Sequence, residues 1–476
     1  MRRPAHLFTV AVLLLFASGA MMACFAAETD AVEAQSVQRG AYLATASDCA
    51  ACHTAPGGLA FAGGLPIVSP VGTIFSTNIT PSTSAGIGNY SEADFARAVR
   101  RGIRKNGDNL YPAMPYTSYR LLTDADVHDL YNYFLHGVAP VNVAPRRTSL
   151  AFPMNIRASM IAWNLLFLSS ESFVADPHQP ADWNRGAYLA AGPAHCSTCH
   201  TPRGFLMQEL SGSNLAGGQV GPWFAPNITS DATSGIGSWT QQEIARYLQT
   251  GSLPPKARAA GSMGEAVEHS FQHLTAADIA AIATYIRTIP AVHDKSDSES
   301  RFGYGSEGST LATLRGANPI RSDTGTSPTG AELFSSNCAS CHSFRGQGSK
   351  DDYYPSLFHN SVTGSANPSN LIATILYGVD RKTSSGQAYM PGFGGRKSDP
   401  SQFSDSEIAL LANYVFQQYG RAGTSVSQSD VAMVRQGGPS SSLVLLARIG
   451  VAAAVLAFLL LVSFLVFRAL RRRPMA

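Results

Sequence analysis

The chain has 476 residues, 45% of them hydrophobic and only 14% charged, with a formal net charge of +3. That length allows roughly two to four domains with packed cores. No basic stripe points to a nucleic-acid partner, and no dinucleotide glycine fingerprint, phosphate loop or nucleophile elbow occurs.

Residues 1–26 read as an export signal. Arg2 and Arg3 form a short positive region, Leu7 to Phe16 an apolar one, and small residues lead to a cleavage point after Ala26. The stretch is too short to favour a permanent membrane span. Cys24 is either a lipid acceptor or lost with the signal.

Three tandem units follow, at 34–150, 179–291 and 328–420. They carry Cys49/Cys52/His53, Cys196/Cys199/His200 and Cys338/Cys341/His342, spaced 147 and 142 residues apart and using six of the seven cysteines. Cys-x-x-Cys-His is the attachment signature of c-type haem. The thiols bond to the haem vinyl groups, and the His becomes an axial ligand of the iron. A redox dithiol needs no His after the second Cys three times over. Structural zinc wants four ligands, and each motif stands alone. Three covalently bound haem c groups are therefore expected.

The first two units are copies. Arg39-Gly-Ala-Tyr-Leu-Ala44 returns at 185–190, Asn78-Ile-Thr80 at 227–229, and Gly86-Ile-Gly88 at 235–237. The offset drifts only from 146 to 149, which marks a duplication. The third unit is divergent. Each unit closes with an amphipathic helix opened by a capping signal, at Thr123/Asp126, Thr275/Asp278 and Ser404/Glu407. A second helix is expected over 91–103, 240–250 and 369–379. The fold class is all-α: three cytochrome c-like domains in tandem, plus a C-terminal transmembrane helix.

The connections differ from one another. Residues 151–178 form an apolar connection with Phe152, Trp163, Leu165, Leu166 and Phe167. It is either a helix packed between the first two domains or a surface for the membrane or a partner. Residues 292–327 form a polar linker or strap, and 421–442 a second polar linker. Residues 443–470 are the anchor. Its core, Ile449 to Phe467, is 19 uncharged residues, about 28 Å of helix. Arg468, Arg471, Arg472 and Arg473 follow, which puts the 471–476 tail in the cytoplasm and the haem domains on the periplasmic side of a bacterial inner membrane.

Electron-transfer haem needs a second axial ligand, and Met raises its potential relative to His. Met114 lies 61 residues after His53, and Met263 lies 63 after His200, so the two share the 149-residue repeat offset. Met390 lies 48 after His342, in Tyr-Met-Pro-Gly. The expected iron ligands are thus His53/Met114, His200/Met263 and His342/Met390, with no open metal position and no catalytic residue. Met154, Met160, Met207 and Met433 are rivals that sit in the wrong places. The other histidines lack repeat partners and read as surface or supporting residues.

The runs Asp48 to Thr54, Phe61-Ala-Gly-Gly64, Gly72-Thr-Ile74, Thr77-Asn-Ile-Thr-Pro81, Gly86-Ile-Gly88 and Leu110-Tyr-Pro-Ala-Met-Pro-Tyr116 resemble the triheme cytochrome c subunit of membrane-bound quinone-dependent dehydrogenases of acetic acid bacteria and relatives. The resemblance covers residues 35 to 420. It implies the same three ligand pairs. It also implies a partner subunit oxidising alcohols, aldehydes, gluconate, fructose or sorbitol on pyrroloquinoline quinone, flavin or a molybdenum cofactor, and a small third subunit. Ubiquinone is the implied electron acceptor. The expected function is an electron relay from that dehydrogenase. The alternatives are a catalytic multihaem enzyme of peroxidase or thiosulfate dehydrogenase type, and a free-standing carrier to a terminal oxidase.

Overall fold

A computed structural model describes residues 31–308 and 328–471. The export signal with Cys24, part of the 292–327 connection and nearly all of the 471–476 tail lie outside the described residues. The described residues are mostly helical, with four two-stranded antiparallel hairpins. The all-α reading holds with that addition. The hairpins are short loops closed on themselves, such as Pro66–Ser69 with Gly72–Phe75, and none joins a larger sheet.

Each unit has its own buried apolar cluster. The first is built on Leu43, Phe95, Leu122, Leu130 and Phe134, the second on Leu189, Ile244, Leu248, Ile279 and Ile282. The third has Phe334, Ile372, Leu376, Ile408 and Phe416. The expected second helices are present as Glu92–Arg101, Gln241–Thr250 and Ser369–Tyr377. Ser91 and Thr240 close reciprocal capping boxes with Asp94 and Glu243. The closing helices are Asp124–Asn132, Ala276–Ile286 and Asp405–Tyr419, each capped by the hydroxyl residue that the sequence signals.

One glycine in each unit explains how its first helix meets its last. A Cβ on Gly40 would fall 1.9 Å from the Asp129 carbonyl oxygen, and one on Gly186 would fall 1.9 Å from that of Ala281. On Gly330 it would fall 2.3 Å from the Leu410 oxygen. The two backbones touch, so any side chain there would drive them apart.

The first two units hold one another by exchanged tyrosines. Tyr42 of the first unit donates to Asp278 Oδ2 of the second at 2.5 Å and accepts the Thr275 N–H. Tyr188, its repeat partner, donates to Asp126 of the first unit and accepts the Thr123 N–H. Each tyrosine thus binds the capped start of the other unit's closing helix. Its ring follows: Tyr188 is buried in the first cluster, and Ala46 in the second.

The connections are less free than their composition suggests. Helix Ser159–Phe167 spans from Tyr116, which donates to Asn164, to Leu206, whose carbonyl accepts from Trp163. It bridges the first two units, yet its outer face is bare. Residues 292–308 strap the second unit to the third: Phe302 packs on Trp239, and Asp297 pairs with Arg421. Residues 421–442, expected as a polar linker, contain helix Gln428–Arg435. Its Val431 and Val434 are fully buried in the third cluster. Ser427 and Asp430 form its capping box, a signal that the polar composition around it masks. The anchor is one helix, Leu443–Arg471, with a candidate span over Leu443–Arg468 of mean hydropathy 2.9 and none of it buried.

Candidate haem sites

Each motif forms a single helical turn: Cys49–His53, Cys196–His200 and Ala339–His342, with Cys338 capping the last. One turn places the two cysteines and the histidine along one side, because residues three and four apart share a face. None of the six motif cysteines is paired in a disulfide. Burial pushes Cys49, Cys52, Cys196 and Cys338 up to about 12, and Cys199 up to about 11. A redox dithiol needs the opposite shift, so the pairs of the first two units are not built for disulfide exchange.

The three histidines share one arrangement. His53 Nδ1 donates to the Thr77 carbonyl at 2.6 Å, His200 Nδ1 to Pro226 at 2.7 Å, and His342 Nδ1 to Pro355 at 2.9 Å. A carbonyl only accepts, so in each ring Nδ1 carries the proton and Nε2 keeps its lone pair. Burial lowers all three imidazoles, which holds them neutral. A neutral ring with its far nitrogen tethered is how a metal-ligating histidine is oriented.

The repeated Asn-Ile-Thr serves that tether. Asn78 Oδ1 accepts from the Thr80 N–H at 2.9 Å and from its hydroxyl at 2.7 Å. Asn227 does the same with Thr229, at 2.8 and 2.7 Å. The amides donate to Val141 and Val292. The turn is thereby locked, and the residue just before it, Thr77 or Pro226, offers its carbonyl to the histidine. The glycines of Gly-Ile-Gly pack on this turn. A Cβ on Gly86 or Gly235 would fall 2.2 or 2.3 Å from the Thr80 or Thr229 oxygen.

The first site shows its cavity, of about 1350 Å³ including its open mouth. Cys49, Cys52, His53 and Met114 all line it, with Phe95, Val99, Leu130 and Phe134 as apolar wall. Arg104 and Arg157 also line it. Burial, then the Arg157 charge, lowers Arg104. An apolar slot with two arginines at one side suits a flat apolar ring that carries carboxylates. In the second and third units, Met263 packs on the same cluster as Cys196, and Met390 on the same cluster as Cys338. Met263 rides on helix Gly261–His269, and Met390 ends strand Gly386–Met390.

The second cysteine of each motif, Cys52, Cys199 or Cys341, is half-buried and lies outside its unit's apolar cluster. Cys341 Sγ accepts a long bond of 3.9 Å from the Ser340 hydroxyl. The cover over the motif differs between units. In the second unit a hairpin lies directly on the turn, so that a Cβ on Gly218 would fall 2.8 Å from the Cys199 carbonyl oxygen. The third unit has no strand between its motif and helix Ser369–Tyr377 among the described residues. A loop carrying exposed Tyr353 and Tyr354 borders Cys341 instead. The first cysteine of each motif, Cys49, Cys196 or Cys338, packs on its unit's apolar cluster.

The first two sites adjoin. Glu265 and Cys199 of the second unit both help to raise the Cys52 thiol, after burial and Asp48. Burial, then Glu265, raises Asp48 to about 8. His195, which precedes the second motif, lines the first cavity and meets the Tyr119 ring at 5.5 Å. Asp48 and His195 hold the same place before their motifs, and both have left-handed backbone. Sequence reasoning passed over His195 because it has no histidine partner in the repeat.

Sequence profiles of cytochrome c match residues 37–137, 184–290 and 327–418. The chain belongs to the cytochrome c family. The cofactor of this cytochrome is covalently bound haem c, which the cysteine pairs and tethered histidines suit. The chain is 47% identical to the fructose dehydrogenase cytochrome subunit of Gluconobacter japonicus, over 87% of this chain and 86% of that one. It is 37% identical to the cytochrome c subunit of alcohol dehydrogenase (quinone) from Gluconacetobacter polyoxogenes, over 91% of both. The gluconate 2-dehydrogenase cytochrome c subunit of Pantoea cypripedii is also 37% identical, over 84% of this chain and 89% of that one. This cytochrome is an electron-transfer protein, and its apolar C-terminal helix is a membrane anchor.

Proposed function

We propose that this chain carries three haem c groups and relays electrons from a catalytic dehydrogenase subunit to ubiquinone in the membrane. The observation that carries the reading is the common tether of His53, His200 and His342, the same in all three units, divergent one included. Cys49/Cys52, Cys196/Cys199 and Cys338/Cys341 hold the groups covalently. His53/Met114, His200/Met263 and His342/Met390 are the axial pairs. Bound there, a haem supplies a one-electron store between ferric and ferrous iron. The residues do the rest. The thiol pairs fix its position, the carbonyl tethers fix each imidazole, and the apolar walls exclude water. In the first cavity, Arg104 and Arg157 face whatever negative charge enters.

The partner oxidises an alcohol, aldehyde or sugar on pyrroloquinoline quinone, flavin or a molybdenum cofactor, with a small third subunit in the complex. The names of the similar proteins support a dehydrogenase partner. The haem domains lie on the periplasmic side. The arginine-rich tail lies in the cytoplasm, following the positive-inside rule. The 34–150, 179–291 and 328–420 units are the three domains, the last extended by helix Gln428–Arg435.

Two measurements on the purified complex test this. Haem content per polypeptide should be three, falling to two in a Cys196→Ala/Cys199→Ala variant. Substrate of the dehydrogenase should reduce the haem absorbance, and ubiquinone should reoxidise it. A haem count other than three, or reduction with no reoxidation by ubiquinone, refutes the proposal.

A further inference from the structure

The bare face of the 151–178 connection has an occupant that the anchor identifies. Helix Ser159–Phe167 has no buried residue and no charge. Ile161, Leu165 and Leu166 are 61%, 85% and 67% exposed. Phe152 and Ile156, just before it, are also exposed. Contiguous exposed apolar surface marks an interaction site.

The anchor comes off the same side of the molecule. Arg448, the last charge before the uncharged span, donates from Nε to the Phe152 carbonyl at 2.9 Å. A guanidinium at that place in a spanning helix sits at the level of the lipid headgroups. Its bond therefore puts Phe152, the start of the apolar segment, at the membrane surface. The chain leading to the anchor runs past the first two units, not only the third. Gly438 packs so closely that a Cβ would fall 2.0 Å from the Gly221 oxygen, and one on Gly437 would meet Val68 at 3.3 Å.

The inward side of the segment closes the first haem cavity. Tyr111 donates to the Met154 carbonyl at 2.8 Å, and Tyr116 donates to Asn164 at 2.8 Å. Tyr111 and Arg157 both line the cavity, and the Arg157 guanidinium lies over the Tyr111 ring, 4.6 Å from its centroid. One short segment thus has apolar side chains outside and part of the cavity wall inside.

We infer that helix Ser159–Phe167 lies in the surface of the lipid bilayer beside the anchor, and that this makes the first haem the one from which electrons leave for the membrane. The inference deepens the proposed relay and rests on it for the electron exit. A helix seated in the interface buries its apolar residues among the acyl chains near the headgroups. That position brings the Tyr111–Arg157 wall within reach of an acceptor dissolved in the same lipid. The anchor follows the third unit in the chain, yet it would serve the first.

The test uses the complete dehydrogenase–cytochrome complex in phosphatidylethanolamine/phosphatidylglycerol vesicles containing ubiquinone. A phospholipid with a photoactivatable diazirine close to its glycerol is crosslinked, and adducts are mapped by peptide mass spectrometry. Adducts are expected in 159–167 as well as in the anchor. Adducts confined to the anchor overturn the inference. In a Leu165→Glu variant the 159–167 adducts should disappear, and haem reoxidation by ubiquinone should slow at least tenfold. Substrate-driven haem reduction in the same sample reports correct assembly, and Leu165→Ala separates added charge from lost bulk. If reoxidation by ubiquinone is as fast in Leu165→Glu as in the parent, the exit assignment is overturned. If the parent shows no reoxidation by ubiquinone at all, the relay itself fails, while the lipid adducts still decide whether the helix is seated in the bilayer.

Discussion

Tyr42→Phe and Tyr188→Phe should each loosen the first two units by an amount that the hydrogen bonds set. Tyr42→Phe keeps the ring and removes one bond to a carboxylate, of the class worth about 1.5–3 kcal/mol, together with the acceptor of the Thr275 N–H. The loss should fall at the lower end, about 1.5 kcal/mol, because Asp278 keeps two bonds to Arg185 at 2.8 Å each. Among the described residues Asp126 has no arginine bond of that kind to replace Tyr188. Tyr188→Phe should therefore cost more, about 2–3 kcal/mol. The two contacts share no side chain, so the losses should add to about 4 kcal/mol. That is a large part of the roughly 5–15 kcal/mol that holds a domain folded. Urea titration of the detergent-solubilised holoprotein, followed by haem absorbance, would measure it. The midpoint should fall in the order parent, Tyr42→Phe, Tyr188→Phe, double variant. A double variant no weaker than Tyr188→Phe alone would refute the exchanged-tyrosine argument. So would single losses below about 0.5 kcal/mol, the size of ordinary surface changes.

Other outcomes follow from the same geometry. Met114→His, Met263→His and Met390→His should each lower the potential of one haem only, by an appreciable part of the roughly 0.8 V that axial ligation spans. Redox titration showing the parent potentials unchanged would remove that Met from the ligand set. Gly186→Ala should overpack the helix crossing at Ala281 and cost about 1–3 kcal/mol or more. Gly212→Ala, where a Cβ meets nothing within 4 Å, is the control and should be near neutral by melting temperature. The Asp278 and Asp129 carboxyls set the acid limit. Burial alone would raise both, but Arg185 with Tyr42, and Arg39 with Ser36, hold them below the usual aspartate value. A depressed carboxyl gives stability that is present above the unfolded value and lost as pH falls through the folded one. The loss should begin near pH 4 and deepen below it. Asp278→Asn should flatten that part of a melting-temperature profile, and an unchanged slope would count against the ion pair.

Much of the site was legible because covalent chemistry demands fixed local spacing. Cys49, Cys52 and His53 must share one turn, so the motif survives in all three units. Met114 and Met263 share a register that a duplication keeps, which is a different kind of signal. The carbonyl tethers were not legible, since any residue supplies a carbonyl and only the fold brings Thr77, Pro226 or Pro355 to the ring. Spacing fixes the turn of each motif, but the cover over that turn comes from distant chain, and the divergent third unit supplies a loop in place of a hairpin. Helix Gln428–Arg435 escaped notice for a related reason. Its capping box is present, but its short polar surroundings resemble a linker until Val431 and Val434 meet the third cluster.

The amino-acid sequence alone determined three Cys-x-x-Cys-His motifs, a duplicated pair of helical units, a divergent third and an uncharged terminal span. These are properties of near neighbours in the chain, set by bonds, helical period and length. The tertiary structure decided the rest. It placed Tyr42 and Tyr188 across the unit boundary, put His195 in the wall of the first cavity, and brought the anchor's Arg448 back to Phe152, 296 residues earlier in the chain. Such contacts depend on which surfaces are left apolar or unpaired after each unit has folded, and no local pattern encodes that choice.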